Sequence, residues 1–73
     1  MDLNESITNL EKKYNGYFEK CNDGANEYID FLTYLCLGFM DFVHIKTVLE
    51  FYGYYPYEME SYDDKLRLVF IKK

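Results

Sequence analysis

The last third of the chain alternates apolar and polar residues on both sides of Asp63 and Asp64. A period of two places every second side chain of a strand on the same face of a sheet. If the two aspartates form a tight turn, Glu60 lies opposite Arg67, so that opposite charges pair across the strands. The same register gathers one apolar face: Tyr57, Met59, Leu66, Leu68 and Phe70. The sequence therefore predicts a C-terminal antiparallel β-hairpin over residues 57–71.

Before the hairpin, apolar residues recur at gaps of three and four, a spacing typical of helices. The first such series consists of Leu3, Ile7, Leu10, Tyr14, Tyr17 and Cys21. A second series covers most of the circumference of its segment, which is typical of a central, buried helix. The spacing predicts helices over 3–21, 24–37 and 41–53.

Three aspartates stand where helix N-caps are needed, at Asp2, Asp23 and Asp41. An aspartate side chain in that position accepts a hydrogen bond from an unpaired backbone N–H of the first turn. Gly38 separates the second and third predicted helices, but a heptad-like apolar pattern also runs through it. One continuous helix over 25–52 is therefore the alternative to two helices.

The predicted fold class is α+β, a three-helix small bundle followed by the C-terminal antiparallel hairpin in a single domain over 1–73. Helix, short turn, helix and hairpin is also the order of a winged helix-turn-helix, with 41–53 in the recognition position. That helix and the tip of the hairpin offer few basic side chains for phosphate. DNA binding is therefore the alternative interpretation rather than the first.

Fifteen aromatic side chains are a large number for a chain of 73 residues. A chain of this length buries only about 60% of its unfolded surface, and each ring adds roughly 150–250 Å². We therefore expect some rings to remain exposed, where they can contact a partner or a second copy. Five aromatics lie between residues 51 and 57 around one glycine and the only proline. Periodicity leaves three of them outside the core: Phe51, Tyr54 and Tyr55.

The net charge of −5, from 8 basic and 13 acidic residues, is the second constraint on partners. An acidic chain repels phosphate, so the charge argues against nucleic acids and anionic membranes and favours a basic protein surface. The most apolar run, 31–43, contains Asp41 and is shorter than the ~20 residues that span a bilayer. Met1 is followed by polar residues rather than a basic and apolar leader, so a cytoplasmic location is expected.

Catalytic and metal-binding signatures do not emerge from the residue pattern. Cys21, Cys36 and His44 are too few and too irregularly spaced for a structural zinc site. Asp41 and His44 stand three residues apart, but Asp41 is better suited to cap a helix than to orient a catalytic base. We therefore expect no enzymatic activity, no metal and no cofactor.

The sequence leads to the interpretation of a small, acidic, tyrosine-rich protein-binding module without enzymatic activity. Such a chain suits an inhibitor or regulator that occupies a basic or nucleic-acid-binding surface of a larger protein, as phage-borne blockers of host or defence enzymes do. The alternatives are a winged-helix-like DNA-binding or transcription accessory protein and a structural homodimer. The residues predicted to contact the partner are Phe51, Tyr54, Tyr55, Glu58, Glu60, Asp63 and Asp64.

Overall fold

A computed structural model describes residues 1–34 and 37–73 as two helices and four strands. The elements in chain order are α1 Leu3–Tyr14, β1 Gly16–Asn22, β2 Glu27–Thr33, α2 Phe39–Phe51, β3 Tyr54–Ser61 and β4 Leu66–Lys72. The strands form one sheet in the order β1-β2-β4-β3, and every neighbouring pair is antiparallel. The fold class is therefore α+β with a four-stranded antiparallel sheet, and the predicted three-helix bundle is wrong.

The two helices cover one face of the sheet and leave the other face open. Their buried residues form one core cluster with the inward side chains of the strands: Ile7, Leu10, Tyr14, Phe18, Ile29, Phe31, Ile45, Leu49, Tyr54, Leu68 and Phe70. Cross-strand partners share a face of a sheet, so Phe18, Phe31 and Leu68 point together toward the helices. The protein is a two-layer structure in which only one side of the sheet is packed.

The first predicted helix is too long. α1 begins after Asp2, whose carboxylate accepts a hydrogen bond from the backbone N–H of Glu5 at 2.9 Å, as a helix cap should. It ends at Tyr14 because Asn15 adopts a left-handed conformation, with φ of 48°. Residues 16–22 then form a strand, where Gly16 lets the backbone approach the ring of Phe31.

The second predicted helix is wrong, because residues 27–33 form strand β2. Its buried residues alternate at Ile29, Phe31 and Thr33, which is the period of a strand. Asp23, expected to cap that helix, instead closes the β1–β2 turn and accepts hydrogen bonds from two backbone N–H groups, at 3.0 and 2.7 Å. Leu35 and Cys36, also placed in that helix by the sequence, lie outside the described residues.

The third predicted helix exists as α2, two residues earlier than expected. Gly38 rather than Asp41 is its N-cap, and the Asp41 carboxylate accepts a hydrogen bond from the backbone N–H of Gly38 at 3.0 Å. Asp41 therefore stabilises the helix start from the third helical position. The alternative of one continuous helix over 25–52 is also wrong, since β2 lies within that range.

The C-terminal hairpin is confirmed, and Glu60 pairs with Arg67 as predicted. The predicted register fails at Tyr57, because a bulge between Pro56 and Glu58 shifts the ladder. β4 pairs with β2 as well as with β3, so it lies inside the sheet rather than at an open edge. The winged-helix order is therefore wrong, because the helix that it requires before α2 is strand β2 and its hairpin belongs to a four-stranded sheet.

Candidate protein-binding face of the sheet

The face of the sheet away from the helices is here called the outer face. The registers place three rows of side chains on it: Tyr17, Leu32, Arg67 and Glu60, then Glu19, Asp30, Val69 and Glu58, then Cys21, Tyr28, Ile71 and Tyr55. The core cluster, to which both helices contribute, takes its strand side chains from the opposite face. The outer face is therefore a four-stranded surface that neither helix covers, although Val69 at its centre is only 7% exposed among the neighbouring side chains.

An ion-pair network occupies the centre of the outer face. The Arg67 guanidinium donates from Nε and Nη2 to the Asp30 carboxylate at 2.7–3.0 Å and from Nη1 to Glu60 at 2.7 Å. Two hydrogen-bonded carboxylates raise the pKa of Arg67 further above its ordinary value, with Asp30 as the larger cause. The network joins β2, β4 and β3 and fixes the middle of the surface in one geometry.

Four tyrosines surround this network. Tyr17 is 61% exposed on the edge strand β1, and Tyr55 and Tyr57 are exposed on the opposite edge strand β3. Tyr57 is the extra residue of the bulge, and its ring lies 5.7 Å from that of Tyr28. Strict alternation with Met59 would direct the Tyr57 ring toward the core. The bulge places this ring on the outer face instead.

A shallow depression of about 140 Å³ lies beside the network. Its lining consists of Tyr17, Glu19, Asp30, Leu32 and Arg67. Asp30 is already paired with Arg67, so Glu19 is the carboxylate of this lining that can accept a further cation. With the Tyr17 ring and the Leu32 side chain beside it, the depression can contact the stem and the cationic head of an arginine or lysine side chain.

The outer face carries an excess of negative charge. Glu19, Asp30, Glu58 and Glu60 face one cation, Arg67. Within residues 1–34 and 37–73, neither Glu19 nor Glu58 has a lysine or arginine partner in an ion pair. These two carboxylates remain available to cations of another molecule.

The β1–β2 turn holds one tyrosine of the outer face in place. The Tyr28 hydroxyl donates to the Asp23 carboxylate at 3.0 Å. This bond raises the pKa of Tyr28, and the hydrogen bonds from the backbone N–H groups of Asn26 and Ala25 lower the pKa of Asp23. The turn therefore fixes the edge of the outer face through an ionised aspartate.

The structure separates the predicted contact residues. Tyr55, Glu58 and Glu60 lie on the outer face of β3. Tyr54 is only 4% exposed and belongs to the core, so its ring is not on the surface. Phe51 is 81% exposed but lies on α2, in the helical layer.

Asp63 and Asp64 are exposed in the β3–β4 turn, beyond the end of the outer face. They extend its negative charge but do not contact the ion-pair network. Sequence reasoning missed Tyr17, Tyr28 and Asp30, because it placed all three in helices. The available signal was the alternation of residues 27–33, which a strand explains better than a helix.

The edges of the sheet carry features that disfavour pairing with another strand. On β1, the backbone N–H of Phe18 donates to the Glu11 side chain at 3.0 Å instead of remaining free. On β3, Pro56 has no N–H to donate and the bulge follows directly. Contacts with other molecules are therefore expected on the faces of the two layers rather than at the edges.

Fold and surface together define a two-layer α+β protein with one uncovered sheet face. A scan against protein-family models finds no match, and searches of curated proteins and of solved structures find no significant match either. Within the described residues, neither helix is long and apolar enough to cross a membrane.

Proposed function

We propose that the protein is a non-enzymatic binding module whose outer face docks onto a basic surface of a larger protein. The observation that carries this proposal is the uncovered sheet face, where four tyrosines surround a net excess of carboxylates. Where that basic surface normally holds nucleic acid, occupation by this protein inhibits its partner. The partner class is defined by positive charge and by side chains that can stack on tyrosine.

Each component of the outer face has a distinct physical part in this binding. Glu19 and Glu58 lie without ion-pair partners in the described chain and attract a basic surface over about a Debye length, which speeds the encounter. Tyrosine rings offer large contact area with little rotamer entropy to lose. Since Asp30 and Glu60 are already held by Arg67, the centre of the surface is rigid before the partner arrives.

The test compares one double alanine variant of outer-face tyrosines with one single alanine variant of an exposed tyrosine. Tyr17→Ala with Tyr55→Ala removes rings from both edges of the outer face, and Tyr34→Ala removes a ring that is 64% exposed elsewhere. Proteins captured from the native host by wild type are identified, purified and titrated individually against each variant. We expect the double variant to bind at least tenfold more weakly, since interface tyrosines contribute about 1–2 kcal/mol each, while Tyr34→Ala binds like wild type.

The salt dependence of the affinity tests the electrostatic contribution to this binding. Affinity for the purified partner is expected to fall between 50 and 300 mM NaCl, because the attracting carboxylates are exposed. The partner's nucleic-acid binding, measured by anisotropy, is expected to fall as this protein is added. A double variant that binds as tightly as wild type, or an affinity that rises with salt, would contradict the proposal.

A further inference from the structure

The opposite layer of the protein exposes a second surface, on the outward side of α2. Met40, His44, Thr47 and Phe51 are all exposed and lie at positions i, i+4, i+7 and i+11, so they form one stripe along the helix. Phe51 is 81% and Met40 72% exposed, and Phe39 beside them is 77% exposed. Large apolar side chains so open to water are rarely grouped on a surface that stays solvated.

This stripe differs from the rest of the molecule in charge. The chain has a net charge of −5, yet the stripe contains neither a carboxylate nor a permanent cation. The adjacent Lys46 and Glu50 neutralise each other in an ion pair at 2.9 Å. His44 is held by a 2.8 Å hydrogen bond between its Nδ1 and the Tyr14 hydroxyl. Lys13 of α1 lies beside His44, in a depression that both residues line. Two acidic copies can therefore approach each other along this stripe without bringing carboxylates together.

The stripe is also symmetric in sequence about its own centre. Met40 and Phe51 are equally far from the point midway between His44 and Thr47. In an antiparallel pair of such helices, Met40 of one copy faces Phe51 of the other, and His44 faces Thr47. A two-fold interface requires this kind of self-complementarity, and a methionine sulfur against an aromatic ring is a favourable contact.

We propose that two copies of the protein associate through antiparallel α2 helices, with the Met40–Phe51 stripe as the interface. The dimer turns the two outer faces away from each other and leaves both open. Where a partner or its assembly repeats the same basic surface, two linked faces bind with higher avidity than one. The dimer itself does not depend on the function proposed for the outer face.

The exposed area sets the strength of the dimer. At roughly 150–250 Å² for a large side chain, Met40 and Phe51 expose on the order of 300 Å² per copy. Pairing then buries about 600 Å² from these two residues alone, more than half of the ~1,000 Å² lower limit of specific interfaces. The dissociation constant is expected to be on the order of micromolar, so the dimer is reversible.

Sedimentation velocity of the full chain from 1 to 500 μM tests the proposal, with two matched substitutions. Met40→Glu places a charge in the stripe, while Met59→Glu makes the same change at a residue that is 67% exposed on β3. Wild type and M59E are expected to form a reversible dimer, and M40E to dissociate at least tenfold more readily. Circular dichroism confirms folding of each variant, which is expected because both residues are largely exposed.

A cross-linking experiment tests the antiparallel register. In a background with Cys21→Ser and Cys36→Ser, Met40→Cys and Phe51→Cys chains are mixed and oxidised. The mixture is expected to form disulfide dimers faster than either chain alone, because identical ends lie about 16 Å apart along antiparallel helices. Wild type that stays monomeric at 500 μM, or M40E that dimerises like wild type, would overturn the proposal. If a monomeric M40E chain fails to bind a purified host partner that presents a single copy of its basic surface, the proposal is also overturned, because the stripe then belongs to that partner.

Discussion

Arg67 is the side chain whose removal most directly tests how the outer face is held. Its guanidinium donates bidentate hydrogen bonds to Asp30 and a further hydrogen bond to Glu60. Arg67 therefore joins carboxylates from the strands on both sides of β4. Arg67→Met keeps an unbranched, largely apolar stem of similar length. The change therefore removes the charge and its hydrogen bonds while it preserves most of the packing.

The expected cost follows from the geometry and the exposure of the network. A hydrogen bond to a charged group contributes about 1.5–3 kcal/mol when buried, and an exposed ion pair about 0.2–1 kcal/mol. The Arg67 side chain is 37% exposed, so water replaces part of each contact. The substitution also leaves Asp30 and Glu60 without their shared cation. We expect a loss of about 1–2 kcal/mol in the free energy of unfolding, or roughly 5–15 °C in Tm for a chain of this size.

Urea unfolding followed by circular dichroism measures this loss, and Lys72→Met is the matched control. Lys72 lies on the same strand and pairs with Glu27 at 3.7 Å with both side chains about half exposed, so its loss is expected to cost less than ~0.5 kcal/mol. The difference between the two variants should shrink in 1 M NaCl, because salt screens exposed charges. An R67M variant no less stable than K72M would refute the argument that this network fixes the sheet.

Two further substitutions test the turn and the close packing of the first hairpin. Gly16→Ala would place a methyl group onto the Phe31 ring, so we expect the free energy of unfolding in urea to fall by about 1–3 kcal/mol. Gly38→Ala is the control: its added carbon meets only Asp41, at 3.6 Å, so the free energy of unfolding should change by less than ~1 kcal/mol. The lowered pKa of Asp23 means that its ionised form stabilises the folded chain above the ordinary aspartate pKa, and that this stabilisation is lost as pH falls through the folded pKa. Asp23→Asn should therefore flatten the fall in Tm below about pH 4 relative to wild type, and an unchanged acid profile would contradict the assigned role of this turn.

The C-terminal hairpin could be predicted because its pattern is local. The alternation, the central Asp63-Asp64 turn and the Glu60–Arg67 pair are all contained in one short segment. The bulge at Tyr57 could not be predicted, since the extra residue is fixed by the ladder with β4 and not by a sequence pattern.

The first hairpin was mistaken for helices because both of its faces carry apolar residues. Tyr17 and Cys21 on the outer face complete a series at gaps of three and four with core residues, which imitates a helical seam. The concentration of aromatic and branched residues in 27–33 favoured a strand, but tertiary pairing was needed to decide.

The candidate site was only partly accessible to sequence reasoning. Glu58, Glu60 and Tyr55 could be found because they belong to the recognised hairpin. The partnership of Asp30 with Arg67 joins residues 37 positions apart, across a β2–β4 pairing that local patterns do not encode. The excess of rings was visible in the composition, and seven of the fifteen aromatic side chains are indeed exposed.

The most direct test of the central claim is a two-dimensional ¹H–¹⁵N NMR titration of the protein with an octa-arginine peptide, with an octa-glutamate peptide as the control. The outer face should respond to arginine, with the largest shifts at Tyr17, Glu19 and Leu32 around the depression, and the shifts should decrease as salt is added. The α2 stripe should be unaffected, since it carries no carboxylate. Shifts confined to Asp63 and Asp64, or spread evenly over both layers, would contradict the assignment of the outer face as the surface that receives a basic partner.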